Sequence, residues 1–340
     1  MAKSKNPVDL GLQVVNRYRE QMSIDDAWLE PQERGFAWWS GPLAQRVWAS
    51  PPWQDEEGDL FQIVAETDVC TGGTTEDSMA ALDATLGAVP LSSMVRHFET
   101  RTFRLRCSVV VHAAVAVRLG RLFCLAASLQ QSLAYRVAKG LTEEGGFRPA
   151  ISGHPRSGHR AEFDEMARIA TNLFRPMGEK PSVWNDRAEH AEVANSLRAF
   201  GLAAEAGNPD LGPLWLGVRL GHEPGDITDP AATAMIMLDA ETAHPAVGNG
   251  AVLYLVLPPG LAEAHPDVTP LDLNDREAAE LDHPHVIGSW VPPPPEASGG
   301  FLYNCFLPNI VHDPGLLFDL FAAMASRARW GGKMLPTQGA

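Results

Sequence analysis

The segment Thr102–His112 reads TFRLRCSVVVH and alternates apolar with polar side chains. Successive side chains of a β-strand point to opposite faces of the sheet, so this pattern predicts a strand with one apolar and one polar face. The apolar set is Phe103, Leu105, Cys107, Val109 and Val111, and the opposite set is Arg104, Arg106 and Ser108. Such a strand is typical of an antiparallel sheet that is covered on one face and leaves the other for water, a sister unit or a ligand.

Other short runs along the chain carry the same kind of strand pattern. In the first half they are Gly35–Trp39, Ala44–Ala49, Phe61–Thr67 and Leu122–Ala127. In the second half they are Leu214–Leu220, Thr233–Leu238, Val252–Leu257, His285–Val291 and Phe301–Leu307.

Helix starts lie between these strands. Asn6-Pro7-Val8-Asp9 and Thr269-Pro270-Leu271-Asp272 each place a capping residue, a proline and an acid before an apolar stripe. Asp313-Pro314 begins another helix, and Ser128-Leu129-Gln130-Gln131 predicts a capping box whose helix ends at Gly140. Thr74 with Asp77 starts a shorter helix, and two more helices are predicted over 160–174 and 186–206.

The order α-β-β-β-α-β-β-α therefore occurs twice, without residue-by-residue identity between the halves. We predict an α+β protein of two units, each an antiparallel sheet covered by helices. The first unit spans 1–142 and the second 160–330, with helix 186–206 as an insertion in the second. Segment 143–159, rich in Gly, Pro and Ser, is predicted as a linker, and 331–340 as a flexible tail.

The last part of the second unit carries a further pattern. Its components are Leu273-Asn274 with Glu277, His285–Trp290, Phe306–Asn309, Gly315–Leu317 and Arg327–Trp330. With this pattern and the doubled element order, the chain resembles the superfamily of type III secretion chaperones, Tir chaperone-like and YbjN proteins, in particular tandem actinobacterial YbjN-like members. The resemblance implies a non-enzymatic binding or adaptor fold whose sheets meet partner polypeptides, and which pairs as a dimer or as tandem units.

The charge of the chain bears on its partners. The 340 residues include 27 Lys and Arg against 42 Asp and Glu, a net charge of −15, which repels phosphate backbones and argues against nucleic-acid binding. Residues 171–340 hold 9 basic and 21 acidic groups, whereas Arg96–Arg175 holds 13 basic and 6 acidic ones. A basic middle of this kind could serve a nucleic acid, but internal charge complementarity between the units is the preferred interpretation.

The cysteines and the apolar runs indicate the compartment. The four cysteines lie far apart without a CxxC pair, which fits small core residues in a reducing cytosol. No signal-peptide pattern follows Met1, and no uncharged apolar run reaches about 18 residues, so we expect a cytoplasmic protein without membrane insertion.

Candidate reactive groups are few. His283 and His285 share a strand face, but turn-forming histidines at a solvent boundary explain this pattern better. Ser152-Gly153-His154 places a serine near a histidine, but triad partners are normally brought together by the fold, so their proximity in sequence means little. The loop Cys70-Thr71-Gly72-Gly73 precedes a helix and suggests an anion site, yet three nearby acids favour a plain loop and N-cap. Those acids are Asp68, Glu76 and Asp77. We therefore assign no catalytic residue, metal ligand or cofactor-binding residue.

Tryptophans are concentrated near the start of the chain. Trp38 and Trp39 are consecutive, so on a strand they point to opposite faces, and one of them needs cover from a helix, a second unit or a partner. Because aromatic anchors carry much interface energy, we predict that Trp38, Trp39, Trp48 and Trp53 contribute to a partner surface. A second face capped within the same molecule is an equally compatible interpretation.

The sequence thus favours a chaperone-like or adaptor protein that binds a polypeptide through sheet faces or edges, with a homodimer as one arrangement. Its acidity favours basic partner segments. Two alternatives stay open: a small-molecule-binding sensor or enzyme with a cleft between the units, and a self-assembling structural component.

Overall fold

The computed structural model describes residues 9–55, 58–73, 75–174, 181–208, 212–220, 229, 231–280, 285–294 and 300–335. In the first half its elements are α1 (Leu10–Gln21), β1 (Leu29–Gln32), β2 (Gly35–Trp39), β3 (Ala44–Ala49), β4 (Trp53–Asp55), β5 (Gly58–Thr71), α2 (Glu76–Thr85), β6 (Ser93–His97), β7 (Thr102–Val111), α3 (Ala116–Gly145) and β8 (Arg148–Pro149). In the second half they are α4 (Glu165–Leu173), α5 (Arg187–Ala199), β9 (Ala203–Asn208), β10 (Gly212–Arg219), β11 (Thr233–His244), β12 (Gly248–Val256), α6 (Pro259–Ala264), α7 (Pro270–Ala279), β13 (Ser289–Val291), β14 (Leu302–Pro308) and α8 (Leu316–Met334).

The strands form two antiparallel sheets. The first has the order β1-β2-β3-β5-β7-β6, with β4 and β8 also paired to β5, and the second has the order β9-β10-β11-β12-β14-β13. The main path is therefore the same in both: a four-stranded meander, then a hairpin whose second strand pairs with the meander. The α+β class predicted from the sequence is confirmed.

The core of the first half lies between its sheet and α3. Strand β7 is the predicted Thr102–His112 segment, and its apolar set is buried as the alternation predicts. A polar network is enclosed with it: Gln45 accepts from the Tyr18 hydroxyl and the Trp38 indole, each at 2.8 Å, and donates to the carbonyl of Ala127 at 2.9 Å. Buried polar groups need such partners, so Gln45 fixes α1, β2 and α3 against one another.

Helix α3 corrects two sequence predictions. Leu122–Ala127 is not a strand but lies within α3, and Ser128 is no N-cap, since its hydroxyl donates to the carbonyl of Cys124 at 2.8 Å. The helix also continues past Gly140 and ends at Gly146, which has the left-handed φ of +65°. A continuous apolar run occurs in buried helices as well as in buried strands, so the pattern of Leu122–Ala127 does not distinguish the two.

The helix predicted over 186–206 is also corrected. It is α5, which ends at Ala199, and the following residues form edge strand β9. The alternation of small and polar residues in AAEAGN is short and weak, so the sequence does not separate this strand from the helix. Among the predicted N-caps, Thr269 is confirmed, since it forms a reciprocal capping box with Asp272 at α7. The helix predicted from Asp313-Pro314 is α8, which begins only at Leu316 after Gly315 and has no side-chain cap. Residues 6–8 and Thr74 lie outside the described residues. The caps that the structure shows are Asp9 for α1 and Thr75 for α2.

The segment predicted as a linker packs on the first sheet. Strand β8 pairs with the end of β5, and His154 and Gly158 exchange two backbone hydrogen bonds of 2.8 and 2.9 Å. At the other end of the chain, α8 extends into the predicted tail as far as Met334, and residues 336–340 lie outside the described ranges.

The two halves meet along β7, β6 and α3. The backbone N–H of Ser108 on β7 donates to the carbonyl of Val286 at 2.9 Å. Val286 of the second half thus pairs with β7 just past the point where β6 ends. Arginines of the first half bind aspartates of the second: Arg96 with Asp272 and Asp275, Arg118 with Asp319 at 2.6 Å, and Arg121 with Asp313 at 3.0 Å. These ion pairs are the charge complementarity between halves that the sequence predicts.

Candidate functional site

Trp38 and Trp39 point to opposite faces of β2, as consecutive strand residues must. Trp38 has no exposed surface and belongs to the core network of Gln45. Its position therefore gives no support to a role at a partner surface.

Trp39 is covered from within the chain. Its indole donates to the Ser152 hydroxyl at 3.0 Å, and its ring lies edge-on to His154 with centroids 5.1 Å apart. Arg160 donates to the Trp39 carbonyl at 2.7 Å and stacks over Trp28 at 4.9 Å. The segment after β8 thus caps this face, which is the alternative interpretation offered for the consecutive tryptophans.

Trp48 and Trp53 are both partly exposed. Trp48 lies on the outer face of β3, where the guanidinium of Arg106 is 5.9 Å from the ring centroid. Trp53 lies on β4, opposite Leu60. These two remain available as surface groups, but the structure does not bring them together with Trp38 and Trp39.

Beside Trp48 the outer face of the first sheet is charged. Arg104 bridges Glu66 at 3.2 Å and Asp68 at 2.7 Å, while Arg106 binds Glu66 at 2.6 Å and Arg46 binds Asp68 at 2.5 Å. All five side chains are at most one quarter exposed. Since these charges pair with each other across three strands, this part of the face has little left to offer a partner.

The outer face of the second sheet is different, because its centre is apolar and partly exposed. Trp215 lies opposite Met237, which lies opposite Tyr254, and in the next row Met235 lies opposite Val256. Leu302 extends the second row onto β14. The opposite face holds the fully buried side chains under α5 and α8; these include Leu216, Ile236 and Leu253. The six outward residues are named the apolar outer face: Trp215, Met235, Met237, Tyr254, Val256 and Leu302.

Acidic groups border the apolar outer face. Glu205 lies opposite Trp215 and is exposed, and Asp239 lies on the same face opposite Val252. Burial raises the pKa of the Tyr254 hydroxyl, and the charge of Asp239 raises it further. Tyr254 therefore stays a neutral hydrogen-bond donor at physiological pH. Arg219 lies on this face too, at the far end of β10.

The residues that carry the resemblance meet in a buried network rather than at a surface. Asn274 accepts from the Trp290 backbone at 2.8 Å, and the Trp290 indole donates to Glu277 at 2.8 Å. Arg327 binds Glu277 at 2.6 Å and stacks over Tyr303 at 4.0 Å. The network ties α7, β13 and α8 together, so its role is to build the second half.

The histidine and serine candidates have structural roles as well. His154 accepts the backbone N–H of Ser157 at 3.0 Å and so orders a turn, while Ser152 is held by Trp39. His285 accepts from the backbone of Val110 at 3.0 Å across the junction, and His283 lies outside the described residues. Within the described part of the chain, no three His, Cys, Asp or Glu side chains are grouped so that they could hold a metal ion.

The four cysteines are free and buried. Burial raises the pKa of each thiol to about 12, so all four stay protonated and unreactive at neutral pH. None of the described helices combines the length and apolarity needed to cross a bilayer.

Comparisons with known proteins identify no relative: no protein-family model, no curated protein and no solved structure matches the chain. The resemblance to YbjN-like and Tir chaperone-like proteins accordingly stays a prediction.

Proposed function

We propose that this chain is a chaperone-like or adaptor protein, and that it binds a polypeptide segment on the apolar outer face of the second sheet. The observation that carries the proposal is the row Trp215–Met237–Tyr254, in which three large side chains lie side by side on neighbouring strands and are partly exposed. Each of these side chains is more than half buried but keeps some exposed surface, and a contiguous apolar patch can mark an interaction site.

The side chains of this face suit an extended peptide of variable sequence. Methionine is flexible and polarisable, so Met235 and Met237 can repack around different partner side chains. Trp215 and Tyr254 supply rigid aromatic area, the kind of residue in which binding energy is concentrated. Full burial of such a side chain is worth about 1.5–3 kcal/mol, and these are already mostly buried, so completing their burial contributes at most about 0.5–1 kcal/mol each.

Charge favours a basic partner segment. Glu205 and Asp239 border the face, and residues 171–340 carry 9 basic against 21 acidic groups. A peptide with lysine or arginine between large apolar residues would match both the centre and the border. A cytoplasmic location is part of the proposal, supported by four free cysteines.

The junction between the halves is less suited to a ligand. Backbone hydrogen bonds and the ion pairs of Arg96, Arg118 and Arg121 occupy it. We therefore favour the polypeptide-binding function over a sensor or enzyme that uses a cleft between the units.

The test is selection from a random twelve-residue peptide library on the full chain, followed by fluorescence anisotropy with the enriched peptides. We expect enrichment of Lys or Arg together with large apolar residues, and at least tenfold weaker binding by the double variant Met235→Ser/Met237→Ser. Val117→Ser is the matched control, because Val117 is 76% exposed on α3 in the other half. Circular dichroism would establish that both variants fold.

Peptides that bind the double variant as tightly as the parent chain, or a selection that enriches acidic peptides or none, would overturn the proposal. Sedimentation of the parent chain and of the same variants tests whether a second copy of the chain covers the face instead. A parent dimer that dissociates in Met235→Ser/Met237→Ser would show that it does.

A further inference from the structure

A second surface, in the first half, has the features of a small-molecule site. A cleft of about 620 Å³ opens between the loop after β5 and the hairpin that joins β6 to β7. Its volume lies within the range of about 300–1,000 Å³ that is usual for small-molecule sites. The loop contributes Gly72 and Gly73, and the hairpin contributes Phe98 and Arg101, while Arg148 comes from β8.

Two guanidinium groups in this cleft are free to bind an anion. Arg101 and Arg148 are exposed, and neither forms an ion pair with any residue that the structure describes. Arg96 also lines the cleft, but Asp272 and Asp275 already bind it. Guanidinium groups bind phosphate and carboxylate in a bidentate manner, so two of them lining one concave site favour an anionic ligand even in a chain of net charge −15.

Aromatic surface lies beside these charges. Phe98 is 70% exposed, and the guanidinium of Arg96 stacks 5.2 Å from its ring centroid. Phe103 forms the inner wall and packs edge-on against Phe147, with centroids 5.5 Å apart. Because Phe98 lines the cleft, a ring or alkyl group of a ligand bound there could pack against it.

The backbone around the cleft is specialised. Gly73 has φ +75°, and a Cβ at this position would lie 1.9 Å from the Phe147 ring, so only glycine lets the loop approach this wall. Arg101 has φ +52°, a conformation that costs a non-glycine residue on the order of 1 kcal/mol. The hairpin thus holds an arginine at a position where glycine or asparagine would be less strained.

We propose that this cleft binds a small organic anion, a phosphate ester or a carboxylate that carries an aromatic or other apolar group. Arg101 and Arg148 bind the anionic group, and Phe98 packs against the apolar part. In the sequence only the Cys70–Gly73 loop suggests an anion site, and its acidic neighbours argue against one. In the fold, Asp68 is neutralised by Arg46 and Arg104.

The test is isothermal titration of the full chain with 1-naphthyl phosphate, 1-naphthoate, 1-naphthol and inorganic phosphate. We expect at least one of the two aromatic anions to bind at least tenfold more tightly than both 1-naphthol and inorganic phosphate. The order of the two anions tells whether phosphate esters or carboxylates are the preferred class. Arg101→Gln/Arg148→Gln should weaken the aromatic anion at least tenfold, while the control Arg156→Gln, an exposed arginine of another loop, should not.

Phe98→Ala separates the two parts of the site. Because Phe98 is largely exposed, its removal should not impair folding, and it should weaken the aromatic anion without changing the affinity for inorganic phosphate. The proposal is overturned if both aromatic anions bind no more tightly than 1-naphthol, or if the double arginine variant binds them as the parent chain does. None of these outcomes bears on the apolar outer face, which lies in the other half.

Discussion

Arg327 and Glu277 form an ion pair in which both side chains are 1% exposed. Removing two charges from water is costly, and the cost is recovered only when each remaining donor and acceptor finds a partner. The Trp290 indole and the Tyr303 ring supply part of that compensation, at 2.8 and 4.0 Å respectively. The pair is therefore weak evidence for net stability, although it ties α7 to α8 within the core.

Changing one member of this pair should be far more damaging than changing both. Glu277→Leu leaves a buried guanidinium uncompensated and should lower the free energy of unfolding by about 3–5 kcal/mol. Glu277→Leu/Arg327→Met should recover at least half of that loss. Urea unfolding measures both variants, with Lys139→Ala as control, since Lys139 and Glu143 form an exposed pair 3.7 Å apart. A double variant no more stable than the single one would contradict this account.

Among the secondary-structure elements, the sequence patterns predict the central strands well and the ends of the helices less well. Strands β2 and β3 have the predicted bounds, and β7 shows the predicted burial of alternate side chains. Helix α3 is not recognisable in the sequence as one element because β5, β7, α1, α2 and α4 pack around it. Nearly every position of its middle, residues 119–131, is buried, so the apolar run there hides the helical period. Periodicity identifies a helix only when one of its faces stays polar.

The candidate surfaces depend on information that periodicity does not contain. Trp215, Met237 and Tyr254 lie on three predicted strands, but only the register shows that they form one row. Likewise Arg101 and Arg148 are far apart in sequence and meet only because β8 pairs with the end of β5. Tryptophan density, the sequence signal for a partner surface, marks core and covered residues at Trp38 and Trp39 instead.

Two glycines of α3 test where this helix ends. Gly140 lies inside the helix, and a Cβ added there would have no other atom within 4 Å, so Gly140→Ala should raise the free energy of unfolding by about 0.5–1 kcal/mol. Gly146 has φ +65°, so Gly146→Ala should lower it by about 1 kcal/mol. Thermal or urea unfolding measures both. If Gly140 were the C-cap, as the sequence suggests, Gly140→Ala would destabilise the protein.

For the whole molecule, two sheets with the same main strand order present different outer faces because their outward side chains differ. Each half builds a sheet with the same main path, and the halves join at the β6 and β13 ends of these paths. The outer face of the first sheet is occupied by paired charges and by the segment that caps Trp39. That of the second sheet keeps its apolar row. The two sheets thus share a main strand order but differ in their outer faces, and the first half contributes the arginines of the junction.

Arg96 is the test of this junction, because it binds two aspartates of the other half. Burial raises the pKa of Asp275, although Arg96 lowers it in part. Burial would also raise the pKa of Asp272, but the hydrogen bonds from Thr269 and Arg96 outweigh this effect and the pKa is lowered. Arg96→Gln should therefore cost about 1–3 kcal/mol of unfolding free energy at pH 7, where both carboxylates are charged and lose their cation.

The pH dependence of that cost follows from the same two groups. In the parent chain, Asp272 contributes to the free energy of unfolding above the ordinary aspartate pKa, and this contribution is lost as pH falls through its lowered pKa. Asp275 acts in the opposite direction, because its raised pKa means that protonation favours the folded state. In Arg96→Gln, acid relieves the unpaired charge of Asp275 first, so the difference in unfolding free energy from the parent chain should be smaller near pH 4 than at pH 7.

Hydrogen exchange at the Ser108 amide, which bonds to Val286, should quicken at pH 7 in this variant. The control Arg19→Gln removes the exposed partner of Asp26 and should change neither quantity. A cost for Arg96→Gln that is independent of pH would mean that packing rather than charge holds the halves together.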